Sequence, residues 1–164
     1  MIVNLNQDRF AHSFSGKPIE QWEKLEDHLV AVASGAAQRA NVFGFGEAGR
    51  TLGILHDIGK VSTAFQAYIR NRGNSVDHST AGAREAARRY DKLGTLLAFA
   101  IAGHHAGLAD GSDLKRRLDP DQTSVSNYTT WRDYIRNPAF DAAFSIRGRQ
   151  GHDITVFHTG RSIR

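Results

Sequence analysis

"LHDIGK", residues 55–60, sets a histidine and an aspartate side by side at the end of an apolar run, just ahead of a glycine and a lysine. Burying an imidazole and a carboxylate together is costly unless the two pair or hold an ion. A hydrogen-bonded His56–Asp57 pair is the plain explanation and a shared metal the sharper one. The surrounding sequence decides between them.

On the N-terminal side, Pro18 precedes Trp22, Leu25, Leu29, Val32 and Ala36, spaced by three- and four-residue steps, which predicts one long amphipathic helix from Ile19 to Ala40. "NVFGFGEAG" interrupts that pattern. A second helix is expected from about Glu47 through Asp57, ended by Gly59 as a C-cap. Ser62 is placed to cap a third, with Phe65, Tyr68 and Ile69 inward and Gly73 and Asn74 closing it. "DHSTAGAREAARRY", residues 77–90, reads as an alanine-rich helix with Arg84, Arg88 and Arg89 on its outer surface. "LGTLLAFAIAGHHAGL", residues 93–108, is apolar enough for the central buried helix. A short helix capped by Ser112 and helical turns on both sides of Pro138 follow. The last twenty residues carry arginines and glycines without a helical stripe, and read as a basic tail or a short extended hairpin. With no strand pattern of weight elsewhere and no internal repeat, the expected fold is an all-α bundle, residues 1–144, followed by the poorly patterned 145–164.

Composition narrows the chemistry. The 164 residues suffice for one ordinary core, with 40% hydrophobic and 23% charged residues. No apolar run approaches the ~18 residues of a membrane span, and the first residues lack the charged start and apolar region of a secretory signal. The expectation is a cytoplasmic domain with no membrane partner. Cysteine is absent, which excludes disulfides, thiolate metal sites and cysteine nucleophiles, so any metal must be held by His, Asp or Glu. A formal charge of +4 and a pI near 9.7 permit a polyanionic partner.

Six of the eight histidines precede residue 106. His28 falls on the inward stripe with Leu25 and Val32; His56 and Asp57 end the second helix; His78 opens the fourth, where Asp77 or Ser79 can cap; His104 and His105 extend the stripe of Leu97, Ile101 and Leu108. Taken singly, each is explained by a core hydrogen bond. Together, at helix ends and around one aspartate, they point to a shared metal cluster. Imidazole mixed with carboxylate suits one or two transition ions (Mn, Fe, Co, Ni or Zn) better than magnesium. Two ions bridged by one carboxylate suit phosphoester hydrolysis. Lys60 is placed to contact a phosphate oxygen, although a solvated lysine past a helix end explains it equally well.

The order His28, His56-Asp57, His78, His104-His105 resembles the HD phosphohydrolase superfamily and, more narrowly, the HD nuclease of type I CRISPR systems. "AHSFSGKPIEQWEKLEDHL", "LHDIGKVSTAFQAYI", "DHSTAGA" and "AGHHAGLAD" carry the likeness, over about residues 10–144. The resemblance implies a metal-dependent endonuclease that nicks and degrades single-stranded DNA in antiviral defence. Its expected partners are a helicase domain or subunit and a CRISPR surveillance complex. Asp57 would bridge two ions, with His28 and His56 on one and His78, His104 and His105 on the other. His12 would be a nearby supporting residue or, more simply, an exposed loop histidine. The family's final aspartate, in an S-x-x-x-D-x-D-like helical segment, has no counterpart. Asp153 does not match that setting, so the expectation is either a chain altered after about Phe144 or a loosely held second ion.

Lys60, Arg84, Arg88, Lys115 and Arg116 are the candidate DNA contacts; for the run "DLKRRL", residues 113–118, a solvated helix face is the plainer account. "GFGEAGRT", residues 44–51, mimics a phosphate loop, but no strand precedes it. Two other functions fit the same sequence: an HD phosphohydrolase of nucleotides or cyclic dinucleotides, and a catalytically inactive docking module.

Overall fold

The computed structural model describes residues 8–105, 107–135, 144–147 and 153–156. Seven α-helices dominate them, as the periodicity predicts. The first departure lies at the start. The expected helix from Ile19 is a short 3-10 turn, Ile19–Gln21, after which Trp22 and Lys24 are extended, with ψ 152° and 142°. Strand β2 (Glu23–Lys24) pairs antiparallel with β1 (Phe10–His12), placing His12 opposite Glu23. Trp22, counted on the helical stripe, instead meets the edge of Phe10, ring centroids 5.8 Å apart. Pairing with a distant segment has overridden a locally helical pattern. Gln66 secures the ribbon, accepting from the Phe10 amide and donating to the Phe10 and Lys60 carbonyls.

Helix α1 (Leu25–Asn41) buries Leu25, Leu29, Ala33 and Ala37, one residue per turn, against α2 (Gly46–Leu55). Helix α2 ends at Leu55, and a 3-10 turn, Ile58–Val61, follows. Gly59 is therefore no C-cap. It lies inside that turn because a Cβ there would stand 2.2 Å from the His78 carbonyl oxygen. Ser62 does cap α3 (Thr63–Tyr68), its Oγ accepting from the Phe65 amide; Phe65 is buried, but Tyr68 is exposed. Asn71, in the left-handed region at φ 58°, makes the reversal expected of Gly73 and Asn74.

Helix α4 (Ser79–Arg89) crosses the end of α2 so closely that a Cβ on Gly82 would stand against the Leu55 carbonyl oxygen. Arg89, expected outside, is 1% exposed. Its Nε donates to Glu85, one turn back, and its guanidinium lies over the Trp131 ring, 5.1 Å from the centroid. Arg84 likewise faces inward to main chain, donating to the carbonyls of Arg117, Asp119 and Thr123. Helix α5 (Asp91–Gly103) buries Leu97, Ala98, Ile101 and Ala102 but leaves Leu96 open, so it is amphipathic rather than wholly central. Leu108, past Gly107 at φ 83°, is exposed and leaves the stripe expected of it.

Asp110, not Ser112, caps α6 (Gly111–Leu118): its carboxylate accepts from both the Asp113 amide and the Ser112 hydroxyl. Helix α7 (Trp131–Tyr134) precedes Pro138, and the helical turn expected beyond that proline lies outside the described residues. Of the final segment, β3 (Phe144–Arg147) and β4 (Asp153–Val156) form an antiparallel hairpin, the second of the two forms expected. No described helix is long and apolar enough to cross a membrane.

Candidate metal centre

Four helices around the "LHDIGK" turn each deliver an imidazole to Asp57. His28 comes from the first turns of α1, His56 from the C-terminal end of α2, His78 from the residue preceding α4 and His104 from the end of α5. The Nε2 atoms of His28 and His56 stand 3.2 and 3.1 Å from Asp57 Oδ2; those of His78 and His104 stand 3.3 Å from Oδ1. Lys60 Nζ joins Oδ2 at 2.8 Å. His105 sits on the Oδ1 side, its Nε2 2.9 Å from that of His78.

The tautomers follow from the outer nitrogens. Nδ1 of His56 donates to the Gly53 carbonyl at 2.7 Å, that of His104 to the Ile101 carbonyl at 2.7 Å, and that of His78 to the Val76 carbonyl at 3.4 Å. Nδ1 of His28 donates to Glu23 Oε1 at 3.2 Å. With the proton on Nδ1, each ring turns an Nε2 lone pair inward. The lone pairs of His28 and His56 face each other at 3.3 Å, which is unfavourable unless a cation or a proton lies between them, while His78 faces His105 at 2.9 Å. Asp57 Oδ1 is buried and makes no hydrogen bond of its own. An orphaned carboxylate oxygen ringed by imidazole lone pairs is the donor set of a transition-metal site, so the residues fit such an ion.

Charge suits Asp57 and His105 to the same assignment. Burial opposes ionisation of Asp57, but the surrounding imidazoles of His104, His28, His56 and His78 outweigh it and hold the carboxyl far below the usual carboxylate range. His28 runs the other way: its hydrogen bond to Asp57 raises it, burial opposes the rise and Glu23 adds to it, so a proton there competes with an ion. Burial and then the neighbouring His104 and His78 lower His105, favouring its neutral, ligating form. Asp57 lies at the floor, 3% exposed, while the side chains of His28, His56, His78 and His104 are 13 to 21% exposed. The centre opens to the surface on the His105 side.

The structure brings together every residue that the sequence nominated as a metal ligand: Asp57, His78, His104 and His105 in one group and His28, His56 and Asp57 in another, within 4.8 Å. Lys60 lies inside this network rather than in solvent, 3% exposed. His12 is exposed, as expected, but it is not in a loop. It belongs to β1, with its ring 4.8 Å from that of His28, its Nδ1 donating to Glu23 at 2.6 Å and its Nε2 3.3 Å from Lys60 Nζ. Among the described residues, Arg84, Arg88, Lys115 and Arg116 are not ion-pair partners of Asp57. Arg88 binds Glu85, while Lys115 and Arg116 lie on the exposed face of α6, where Arg116 also pairs with Asp113. Asp153 falls in β4 opposite Arg147, and among the described residues Glu23 is the only carboxylate besides Asp57 in a potential metal-holding group. Sequence reasoning missed Glu23, which is held to His28 by a two-residue strand with no periodic signal.

The family model for the HD domain matches residues 25–136, which include all of these ligands but not His12 or Glu23. No curated protein matches the chain. HD domains are generally metal-dependent hydrolases acting on phosphate esters, which agrees with the donor set. A bundle whose helix ends deliver histidines to one buried HD aspartate, matched over most of its length, places this chain in the HD domain family.

Proposed function

We propose that this centre hydrolyses phosphodiester bonds in single-stranded DNA, as the nuclease component of CRISPR interference working with a helicase domain or subunit and a surveillance complex. The observation that carries a hydrolytic reading is the convergence of the Nε2 atoms of His28, His56, His78 and His104 on the two oxygens of Asp57. Held by these groups, one or two divalent transition ions would supply Lewis-acid stabilisation of phosphate charge and a water acidified for attack. The chain's own residues do the rest. Asp57 stays ionised and shared between the two sets of imidazoles. Lys60, on Asp57 Oδ2, offsets the carboxylate charge and acts as a positioning residue rather than a phosphate contact.

Three things favour DNA over a small nucleotide: the quoted motifs, the basic charge and a centre open at the surface on the His105 side. A strand can run across an open rim, whereas a mononucleotide is better served by an enclosing pocket. Lys115 and Arg116, exposed on α6, are the cations we assign to its phosphates. Purified protein with Mn²⁺ or Ni²⁺ is expected to cleave circular single-stranded DNA. Turnover of mononucleotides or cyclic dinucleotides alone would overturn the substrate assignment. Absence of cleavage with every divalent ion, together with less than one bound metal per chain, would support a docking module.

A further inference from the structure

We infer that Glu23 is a positioning residue of the metal centre: it fixes the ring of His28 toward the ion and, through His12, ties Lys60 to the same network. The inference rests on the metal-site reading above and adds a residue that lies outside the family match.

The argument starts from what each ligand ring has available as an outer acceptor. His56 and His104 follow the last turns of α2 and α5, where helical partners run out; His56 takes the Gly53 carbonyl and His104 that of Ile101, which its own amide reaches only at 3.5 Å. His78 precedes α4 and uses the Val76 carbonyl. His28 lies within α1, where nearby carbonyls are engaged in the helix, so its Nδ1–H must find a side chain. Glu23 supplies one from β2, two residues before the helix begins. Of the four rings that face Asp57, His28 alone is therefore oriented by a carboxylate, the arrangement that in metal sites fixes the tautomer and strengthens the ligand.

Glu23 is itself held firmly. Its strand pairs with β1, and the Leu25 amide that follows donates to the Arg9 carbonyl at 2.8 Å. Its second oxygen accepts from His12 Nδ1 at 2.6 Å, which leaves His12 Nε2 as the acceptor for Lys60 Nζ at 3.3 Å. Lys60 then reaches Asp57 Oδ2 at 2.8 Å, and His28 Nε2 reaches the same oxygen at 3.2 Å. The circuit Glu23–His28–Asp57–Lys60–His12 closes on itself. Because Glu23 bonds His28 at Nδ1, the nitrogen opposite the one that faces Asp57, it orients this ligand and does not replace the family's final aspartate as a ligand.

The test is a Co²⁺ titration of the full chain, followed by visible absorption and calorimetry, for wild type, Glu23→Ala, Glu23→Gln and the exposed-carboxylate control Glu47→Ala. Removing such an outer partner is expected to weaken Co²⁺ binding about 10- to 100-fold in Glu23→Ala, with a smaller loss in Glu23→Gln and none in the control. In proton spectra of the Co²⁺-loaded protein, the shifted, exchangeable Nδ1–H of His28 should vanish in Glu23→Ala while those of His56 and His104 persist. A merely structural role for Glu23 would not produce that selective loss. If Glu23→Ala does not fold, Glu23→Gln decides by the same two readouts. Wild-type affinity together with an unchanged His28 signal in the Glu23 variants would overturn the inference and leave the metal site standing. Failure of the wild type to take up Co²⁺ would overturn both.

Discussion

Gly59→Ala isolates the close approach that brings two ligand segments together. A Cβ at residue 59 would lie 2.2 Å from the His78 carbonyl oxygen, 2.8 Å from the His78 Cα and 2.9 Å from the Ala81 Cβ. The first distance is roughly 1 Å short of ordinary van der Waals separation, and backbone atoms cannot rotate away, so the "LHDIGK" turn and the start of α4 must separate. Overpacking costs about 1–3 kcal/mol, and a clash with main chain belongs at the upper end of that range. Alanine returns about 0.4–1 kcal/mol by restricting the unfolded chain. The net expectation is a loss of about 2 kcal/mol, a fall of roughly 4–8 °C in Tm for a protein of this size. Thermal and urea unfolding measure it, with Gly111→Ala as control, since a Cβ there meets nothing within 4 Å. Because the displaced atoms belong to His78, Co²⁺ affinity should fall in the same variant. A Tm within about 1 °C of wild type, with unchanged Co²⁺ affinity, would refute the claim that this glycine sets the approach of the two segments.

Glu85 has its carboxyl lowered: burial opposes its charge, and the interactions with Arg88 and Arg89 outweigh it. Its stabilising effect is therefore complete above about pH 4.5 and is lost as pH falls through the lower folded value. The urea midpoint of Glu85→Gln should lie below wild type at neutral pH, with the gap closing in acid; a gap independent of pH would contradict this. Arg117 donates to Thr80 Oγ1, the Ala102 carbonyl and Ser79 Oγ, each at 2.8 Å, stapling α6 to α4 and α5 beside His78 and His104. A lysine cannot span these acceptors, so Arg117→Lys should cost on the order of 1.5–3 kcal/mol in urea unfolding, whereas an unchanged midpoint would show the fork to be dispensable. Replacing Lys115 and Arg116 together by alanine should flatten the salt dependence of single-strand binding by about 0.7 for each phosphate that is no longer neutralised, and an unchanged slope would remove both from the proposed path.

The candidate ligands are legible because each sits where periodicity is strong: His28 on a stripe, the others at helix ends marked by glycine or a cap. What escapes is set by interactions between distant segments. The pairing of His12 with Glu23 involves strands of three and two residues, too short to leave an alternating pattern, and it lies beneath a spurious helical stripe through Trp22. Arg89 looks external because arginine usually is, yet Glu85 at the preceding turn and Trp131 some forty residues later make its burial tolerable. The common use of glycine at helix ends suggests a C-cap at Gly59, whereas its neighbour in space, His78, is what demands it. For Lys60 the sequence weighs solvent against phosphate evenly. Its actual partner, Asp57, lies three residues away on the same turn.

The central claim, that imidazoles from four segments and Asp57 jointly hold a divalent ion, is tested most directly by counting metal. Protein loaded with Co²⁺ and dialysed exhaustively should retain at least one ion per chain, bound through imidazole nitrogen by X-ray absorption, and Asp57→Asn should lose it while keeping its helical circular dichroism. Wild-type protein that retains no metal, or an Asp57→Asn variant that retains as much as wild type, would contradict the account.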